Sequence, residues 1–380
     1  MLTIERSKFL IVTAIAIAVA ACRHQEQTLI ERTFTEHQKT ATVRVASADA
    51  HRWWTLNEIA QRLMRRLNES LSTQDQGSDV TRINRVGTTS RIQVSRDTFR
   101  LLDLAQHYSD LSGGSYDFTT APLAYLWGFQ GGPTPTNVPS PDTLLANLVG
   151  VGAQNLTLFD LSAVALTHIQ SKMSVDSLID AYTTDLVVIE AREKGVANAF
   201  VNIGGSARAL GVPEAGKTWD WKLVSPFKTN ESLGTLLLDP NISMSQSRLH
   251  ETNVTIEGKT YGHIIDPRTG RPAEGTALAI AAGPTATQDA ALSEALVVTG
   301  LRGAGAVLSH FPRCDVLIIP DQQPVEIWMT RGFAARVRLN PELEKAVHII
   351  DTPKAIEAVK DDVASEATND VPVSSKPASK

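Results

Sequence analysis

Thr252-Asn-Val-Thr-Ile-Glu-Gly-Lys-Thr-Tyr-Gly-His-Ile-Ile265, with Thr276-Ala-Leu-Ala-Ile-Ala281 shortly after it, decides the fold class. In the first stretch two strand-like runs flank Glu257-Gly258, a two-residue connection suited to the left-handed backbone of a tight hairpin. The second is a short apolar strand that reaches Pro284 and gives way to a long helical pattern. Thr285 and Gln288 stand in capping-box relation at its start. Upstream, Ala199-Phe-Val-Asn-Ile203 ends in Gly204-Gly205, and Thr218-Trp-Asp-Trp-Lys-Leu-Val224 alternates as a half-buried strand does. Helices are expected around Leu56–Leu71, where apolar residues recur at helical spacing, from Asp97 to Leu111, and from about Ser177 to Lys194 with Gly195 closing the last. No short-period repeat is present. Strands joined by hairpins and interleaved with helices predict an α+β domain with a largely antiparallel sheet flanked by helices.

The 380 residues carry 36 Lys+Arg against 41 Asp+Glu, a net charge of −5, which excludes a basic nucleic-acid binder working by phosphate neutralisation. With 42% hydrophobic and 20% charged residues the chain has enough apolar side chain for a large core. Only Cys22 and Cys314 are present, so neither a disulfide framework nor a cysteine zinc site is available.

Arg6 and Lys8 precede an apolar run from Phe9 to Ala21, a signal-peptide pattern too short to be comfortable as a membrane span. Val19-Ala20-Ala21-Cys22 is similar to a bacterial lipobox, so residues 1–21 are expected to be a lipoprotein signal and Cys22 the lipidated terminus. Arg23 rather than Asp follows, which favours the outer membrane where one exists. The expected location is the cell envelope, lipid-anchored on the extracytoplasmic, periplasm-facing side. Residues 22–40 read as a linker, 41–350 as the folded domain, and 351–380 as a disordered tail too polar to bury itself. Cys314 then has no intramolecular partner and reads as a buried structural thiol.

Three Gly-rich turns, Ser112-Gly-Gly-Ser-Tyr-Asp117, Asn202-Ile-Gly-Gly-Ser206 and Asp266-Pro-Arg-Thr-Gly-Arg271, let backbone N–H groups approach a ligand. With the aromatic loop Tyr125-Leu-Trp-Gly-Phe129 they suggest a site for a phosphate-bearing ligand with a flat ring. No P-loop or dinucleotide GxGxxG fingerprint is found, nor an HExxH, GxSxG or EF-hand pattern. His263, Asp266 and Arg268 put an imidazole, a carboxylate and a guanidinium within one strand and turn. Asp289 and Ser293 share a helical face, and with Glu294 they form an oxygen-only set suited to Mg²⁺, which completes its octahedron with water and substrate phosphate.

The order of these pieces resembles the ApbE family, the FAD:protein FMN transferases. The likeness spans residues 56 to 345 and rests on Leu71-Ser-Thr73 with Ser78-Asp-Val-Thr-Arg-Ile-Asn84, Leu111 to Asp117 with Leu126-Trp-Gly-Phe129, Val201-Asn-Ile-Gly-Gly205, and His263-Ile-Ile-Asp-Pro-Arg-Thr-Gly-Arg-Pro272. The resemblance implies an enzyme that takes FAD as substrate and uses Mg²⁺, splits the diphosphate, esterifies FMN to a Thr or Ser hydroxyl of a partner protein and releases AMP. The acceptor would be an extracytoplasmic protein of a respiratory or electron-transfer complex. By the same resemblance Ser115, Tyr116, Asp117, Trp127, Ser174, Asp180 and His263 would line the flavin site, and Ser177, Asp289, Ser293 and Glu294 the metal.

Several of those positions depart from the family pattern. Ser174-Val-Asp-Ser-Leu-Ile-Asp-Ala181 stands where the family has Asp-Leu-Gly-Gly-Ile-Ala-Lys-Gly, so a flavin-facing Asp becomes Ser174 and a Lys becomes Asp180. An anion in place of a cation should repel a diphosphate. Asp289-Ala-Ala-Leu-Ser-Glu294 replaces Ala-Asp-Ala-Leu-Ser-Thr, moving the carboxylate by one residue, or about 100° of helix. The early Met-Gly-Thr is missing before Thr42, and Ser245-Gln246 stands for Ser-Gly. Asp117, Asp176 and Asp180 remain open as the general base. A second reading is a catalytically degenerate lipoprotein of the same fold that holds flavin or docks a partner.

Overall fold

The computed structural model describes residues 29–46, 50–213, 217–228 and 230–350. Its frame is a nine-stranded sheet of β1 (Leu29–Glu36), β2 (Lys39–Ala46), β3 (Ala199–Ile203), β4 (Ser206–Leu210), β5 (Ser243–Arg248), β6 (Thr276–Gly283), β7 (Asp315–Pro320), β8 (Ile327–Thr330) and β9 (Val347–Ile350). The strands lie side by side in chain order, and every neighbouring pair is antiparallel except β8 with β9. This is the α+β, largely antiparallel architecture expected from the hairpins and the helices between them.

Four longer helices complete the frame: α1 (Ala50–Leu71), α2 (Arg96–Leu111), α3 (Asp176–Glu193) and α4 (Ala286–Leu308). The central strand β6 explains the layering, because it is buried along its whole length. Its period-2 alternation sends Leu278, Ile280 and Ala282 into one core and Ala279 and Ala281 into another. The first core is closed by a three-stranded sheet containing Trp219–Val224, Ser232–Leu238 and Val337–Leu339. On the opposite face, the small side chains of Ala279 and Ala281 join the core that also holds Leu292 and Leu296 of α4. On α1, Leu56, Ile59, Ala60 and Leu63 pack against Val43, Val201 and Ile203 of the sheet. The helix begins six residues before the periodic stretch that announced it.

The hairpin Asn253–Ile256 and Lys259–Gly262 forms around Glu257 and Gly258, both at positive φ. Thr285 caps α4 by accepting the Gln288 N–H at 3.4 Å, but the Gln288 side chain turns to the Cys314 sulfur at 3.1 Å instead of closing the capping box. Cys314 is half-buried, and burial pushes its thiol above the ordinary value. One boundary is corrected: the stretch expected as linker up to residue 40 contains β1, whose Ile30 and Phe34 pack on the α1 core. The signal segment 1–21, Cys22 and the tail 351–380 lie outside the described residues.

Candidate active site

A cavity of about 370 Å³ opens where the first turns of α3, the β3–β4 turn, strand β5, the first half of α4 and the segment after the hairpin converge. Six of the expected site residues stand on its wall: Asp117, Ser174, Ser177, Asp180, His263 and Glu294. Ser115, Tyr116, Trp127, Asp289 and Ser293 do not.

Local chemistry accounts for each placement. The Ser112–Asp117 turn is knit to itself, with Ser115 Oγ donating to the Ser112 carbonyl at 2.8 Å. Asp117 accepts from the Thr119 N–H (2.7 Å), the Thr119 hydroxyl (2.5 Å) and the Ala153 N–H (3.0 Å), so its oxygens organise the loop they belong to. Burial raises its carboxyl, against those hydrogen bonds. Tyr116 is fully buried; its hydroxyl has no hydrogen-bond partner, and burial together with the nearby Glu294 pushes the phenol well up. Trp127 is also fully buried, donating from Nε1 to the Gly270 carbonyl at 2.8 Å and lying 5.0 Å from the Tyr261 ring. Its role is to hold the Asp266–Arg271 turn, where the Asp266 N–H donates to the Arg271 carbonyl at 2.8 Å, and Arg268 pairs with Asp266 through Nε and Nη2, both at 2.8 Å. From the aromatic loop it is Phe129, with Gln130, that reaches the cavity.

His263 meets the Phe129 ring edge-on at 6.4 Å. Burial lowers its pKa, and Nδ1 is buried without a partner. A neutral imidazole on a cavity wall can accept a proton from a bound hydroxyl.

Two glycines make room for the neighbouring side chains. Gly204, at φ +57, follows β3 where an added Cβ would collide with the Asp180 carboxylate. Gly205, at φ +91, would bring a Cβ to 3.1 Å from Gln246 Nε2. The Gly-Gly pair therefore lets α3 and β5 close on the turn, with a backbone that only glycine adopts at low cost.

Asp180, on the second turn of α3, forms an ion pair with Lys39 at 3.1 Å. Burial pushes the Asp180 carboxyl up and Lys39 opposes that shift. Burial alone would lower the Lys39 ammonium, but Asp180, with Glu251 and Asp176, raises it overall. Asp176 accepts from the Thr73 hydroxyl at 2.5 Å, fastening the loop after α1 to the start of α3. Lys39, Arg248 and Glu251 were not picked out in the sequence, where nothing in their spacing points to a pocket.

On α4 the cavity is met by Ala290 and Glu294, one turn apart. Burial pushes Glu294 up to about 7, with Ser177 opposing and Asp117 adding to the rise. Asp289, five residues away, lies about 140° around the helix. It points instead to β5 and β6, accepting from Ser243 Oγ at 2.5 Å and the Gly283 N–H at 3.1 Å. Ser293 shares that face and meets Ser247 at 2.8 Å. The three expected oxygen ligands on α4 are therefore divided between two of its faces, and of the expected set only Glu294 and, from α3, Ser177 stand at the cavity. Among the described residues no three His, Cys, Asp or Glu side chains gather into a protein-only metal cage.

The chain matches the ApbE family over residues 36–318. It is 27% identical over 304 residues to a FAD:protein FMN transferase of Haemophilus influenzae, covering 77% of this chain and 86% of that one. It is 27% identical over 218 residues to a FAD:protein FMN transferase of Vibrio cholerae, covering 57% of this chain and 65% of the relative. Among solved structures, the ApbE protein of Thermotoga maritima superposes with a TM-score of 0.73 at 24% identity, covering 82% of this chain and all (100%) of that one. The flavin transferase ApbE of Vibrio cholerae gives 0.70 at 23% identity, covering 81% and 99%.

Proposed function

Because this chain belongs to the ApbE family, we propose that it is a Mg²⁺-dependent FAD:protein FMN transferase that moves FMN onto a Thr or Ser hydroxyl of an extracytoplasmic electron-transfer protein and releases AMP. The observation that carries the reading is the convergence of His263, Ser174, Ser177, Asp180 and Glu294, from three separate stretches of chain, on one cavity edged by the Phe129 ring. Its size suits part of a flavin nucleotide, with the remainder extending to solvent.

In the reaction the acceptor hydroxyl oxygen attacks the phosphorus of the FMN half. A new P–O ester bond forms, the diphosphate P–O bond breaks, and AMP leaves with that electron pair. The hydroxyl proton needs an acceptor. Asp117, Asp176 and Asp180 are each engaged by Thr119, Thr73 and Lys39, whereas His263 stands on the cavity wall as an imidazole that burial favours in its neutral form. His263 is thus the group suited to take it. Phe129 and the backbone around His263 orient the ring, and the apolar wall of Ile264 and Ile265 limits water.

The donors at the cavity fit Mg²⁺: Glu294 is a half-buried carboxyl on the cavity wall, and its neighbour Ser177 adds a hard oxygen. Mg²⁺ held there would neutralise diphosphate charge and favour its cleavage. Asp289 and Ser293 do not belong to this set. The alternative, a flavin-holding protein without turnover, is favoured by Ala290, which brings no oxygen to the helix face that meets the cavity. Attachment through a lipidated Cys22 on the periplasm-facing side is part of the proposal and is supported by the signal and lipobox pattern of residues 9–22.

The test incubates the full chain in detergent with FAD and Mg²⁺, with and without a Thr-containing acceptor domain, and follows AMP and covalent flavin. AMP that depends on the acceptor, with a fluorescent protein band, is expected. FAD binding without AMP in Mg²⁺ or Mn²⁺ selects the alternative reading.

A further inference from the structure

The cavity wall carries five carboxylates, Asp117, Asp176, Asp180, Glu251 and Glu294, against two permanent cations, Lys39 and Arg248. A diphosphate entering such a pocket needs a cation with hydrogen-bonding capacity to spare. Arg248 is tethered to the backbone, with Nη1 donating to the Ser225 carbonyl at 3.1 Å and Nη2 to the Val224 carbonyl at 2.9 Å. Lys39 is different. It is the first residue of β2, thrown forward by a tight turn whose residues His37 and Gln38 both have positive φ. Its side chain is 53% exposed, while its partner Asp180 is only 14% exposed. An ammonium has three N–H donors, and the contact to Asp180 uses one.

We propose that Lys39 is the cation that contacts the phosphate-bearing part of the flavin nucleotide, and that Asp180 is its positioning residue. This inference rests on the flavin-transferase reading above. Asp180 cannot itself attract phosphate, yet it is rigidly placed: it projects from a regular helix, fills the space Gly204 leaves, and reaches Lys39 at 3.1 Å. A flexible four-carbon stem leaving a hairpin turn is thereby held at the cavity rim. The anion at position 180 then serves the binding of another anion, by fixing where the cation stands.

The test measures FAD affinity of the full chain by flavin fluorescence at several salt concentrations, with melting temperature as a fold check. Lys39→Ala is expected to weaken FAD binding about tenfold or more and to flatten its salt dependence. Lys39→Arg should recover most of the loss. Lys39→Ala combined with Asp180→Lys should also recover binding, since a lysine at 180 reaches the same spot from α3. If Lys39→Ala lowers the melting temperature, Lys39→Gln with Asp180→Asn removes both charges without leaving one buried alone, and the same loss of affinity is expected. FAD affinity within twofold of the parent chain in the Ala variant, or a loss that neither lysine nor arginine rescues, overturns the inference and leaves the transferase reading intact. Absence of FAD binding by the parent chain overturns both.

Discussion

Asp185 of α3 caps α4 through Thr287: its carboxylate accepts the Thr287 N–H at 2.9 Å and the Thr287 hydroxyl at 2.6 Å, as well as the Ala286 N–H at 3.0 Å. Arg208 of β4 completes the arrangement at 2.5 Å. One buried carboxylate thus ties together the helix that carries Asp180, the helix that carries Glu294 and the sheet beneath them. The negative charge also suits the positive end of the α4 dipole.

Asp185→Ala is therefore expected to destabilise the fold by about 3 kcal/mol or more, because it strands Arg208 as a buried charge and removes the helix cap. A denaturant titration reads the loss directly. A midpoint shift no larger than that of an exposed substitution such as Asp103→Ala would show that the cap is dispensable.

Asp289 makes stability depend on pH. Burial pushes its carboxyl from 3.8 up to about 7, with Asp185 adding to the rise and Ser243 opposing it. The folded chain therefore holds a proton that the unfolded chain releases above about pH 4. The sign follows: this stabilisation is present in full below the unfolded value, falls as pH rises through the window up to about 7, and is flat beyond it. Asp289→Asn should remove that slope, on the order of 1 kcal/mol per pH unit. Equilibrium unfolding of both proteins between pH 5 and 8 checks it, and parallel curves would remove Asp289 as the source.

Glu294 and Asp289 should separate cleanly in activity. Glu294→Gln removes the carboxylate at the cavity and is expected to reduce Mg²⁺-stimulated AMP release by about a hundredfold or more. Asp289→Asn, whose side chain faces Ser243 and Gly283, should retain the stimulation. The reverse pattern would put the metal on the other face of α4.

His263→Asn should fold normally but lose most turnover, on the order of a hundredfold, as expected for a lost proton acceptor. Since burial lowers the His263 pKa, the imidazole stays neutral as pH falls through its ordinary value of 6.5. Turnover per bound FAD should hold steady down to that pH and decline only below it. A decline centred above 6.5 would assign the limb to another group.

Much of this site was legible locally. Glu257-Gly258, Gly204-Gly205 and the Asp266–Arg271 turn announce themselves because positive φ and tight reversal restrict which residues can stand there. The start of α4 was legible for the same reason, with Thr285 at the cap. Trp127 shows the limit of such reading. An aromatic residue in a Gly-rich loop looked like a wall of the flavin pocket, yet it is buried under the turn, and Phe129 two residues later faces the cavity. Composition around a residue does not say which side of a loop will be covered.

By itself the sequence determined the four longer helices, the Asn253–Gly262 hairpin, the glycine turns and the family, because these depend on residues close along the chain. Tertiary structure alone decided which face of α4 meets the cavity, and so separated Asp289 from Glu294. It also brought Lys39 from the first hairpin to Asp180 on a helix far downstream. The physical reason is that a helix's rotation and a side chain's partner are set by packing over the whole core. Ala279 and Ala281 of β6 and Leu292 and Leu296 of α4 orient the helix, and no window of sequence contains that balance.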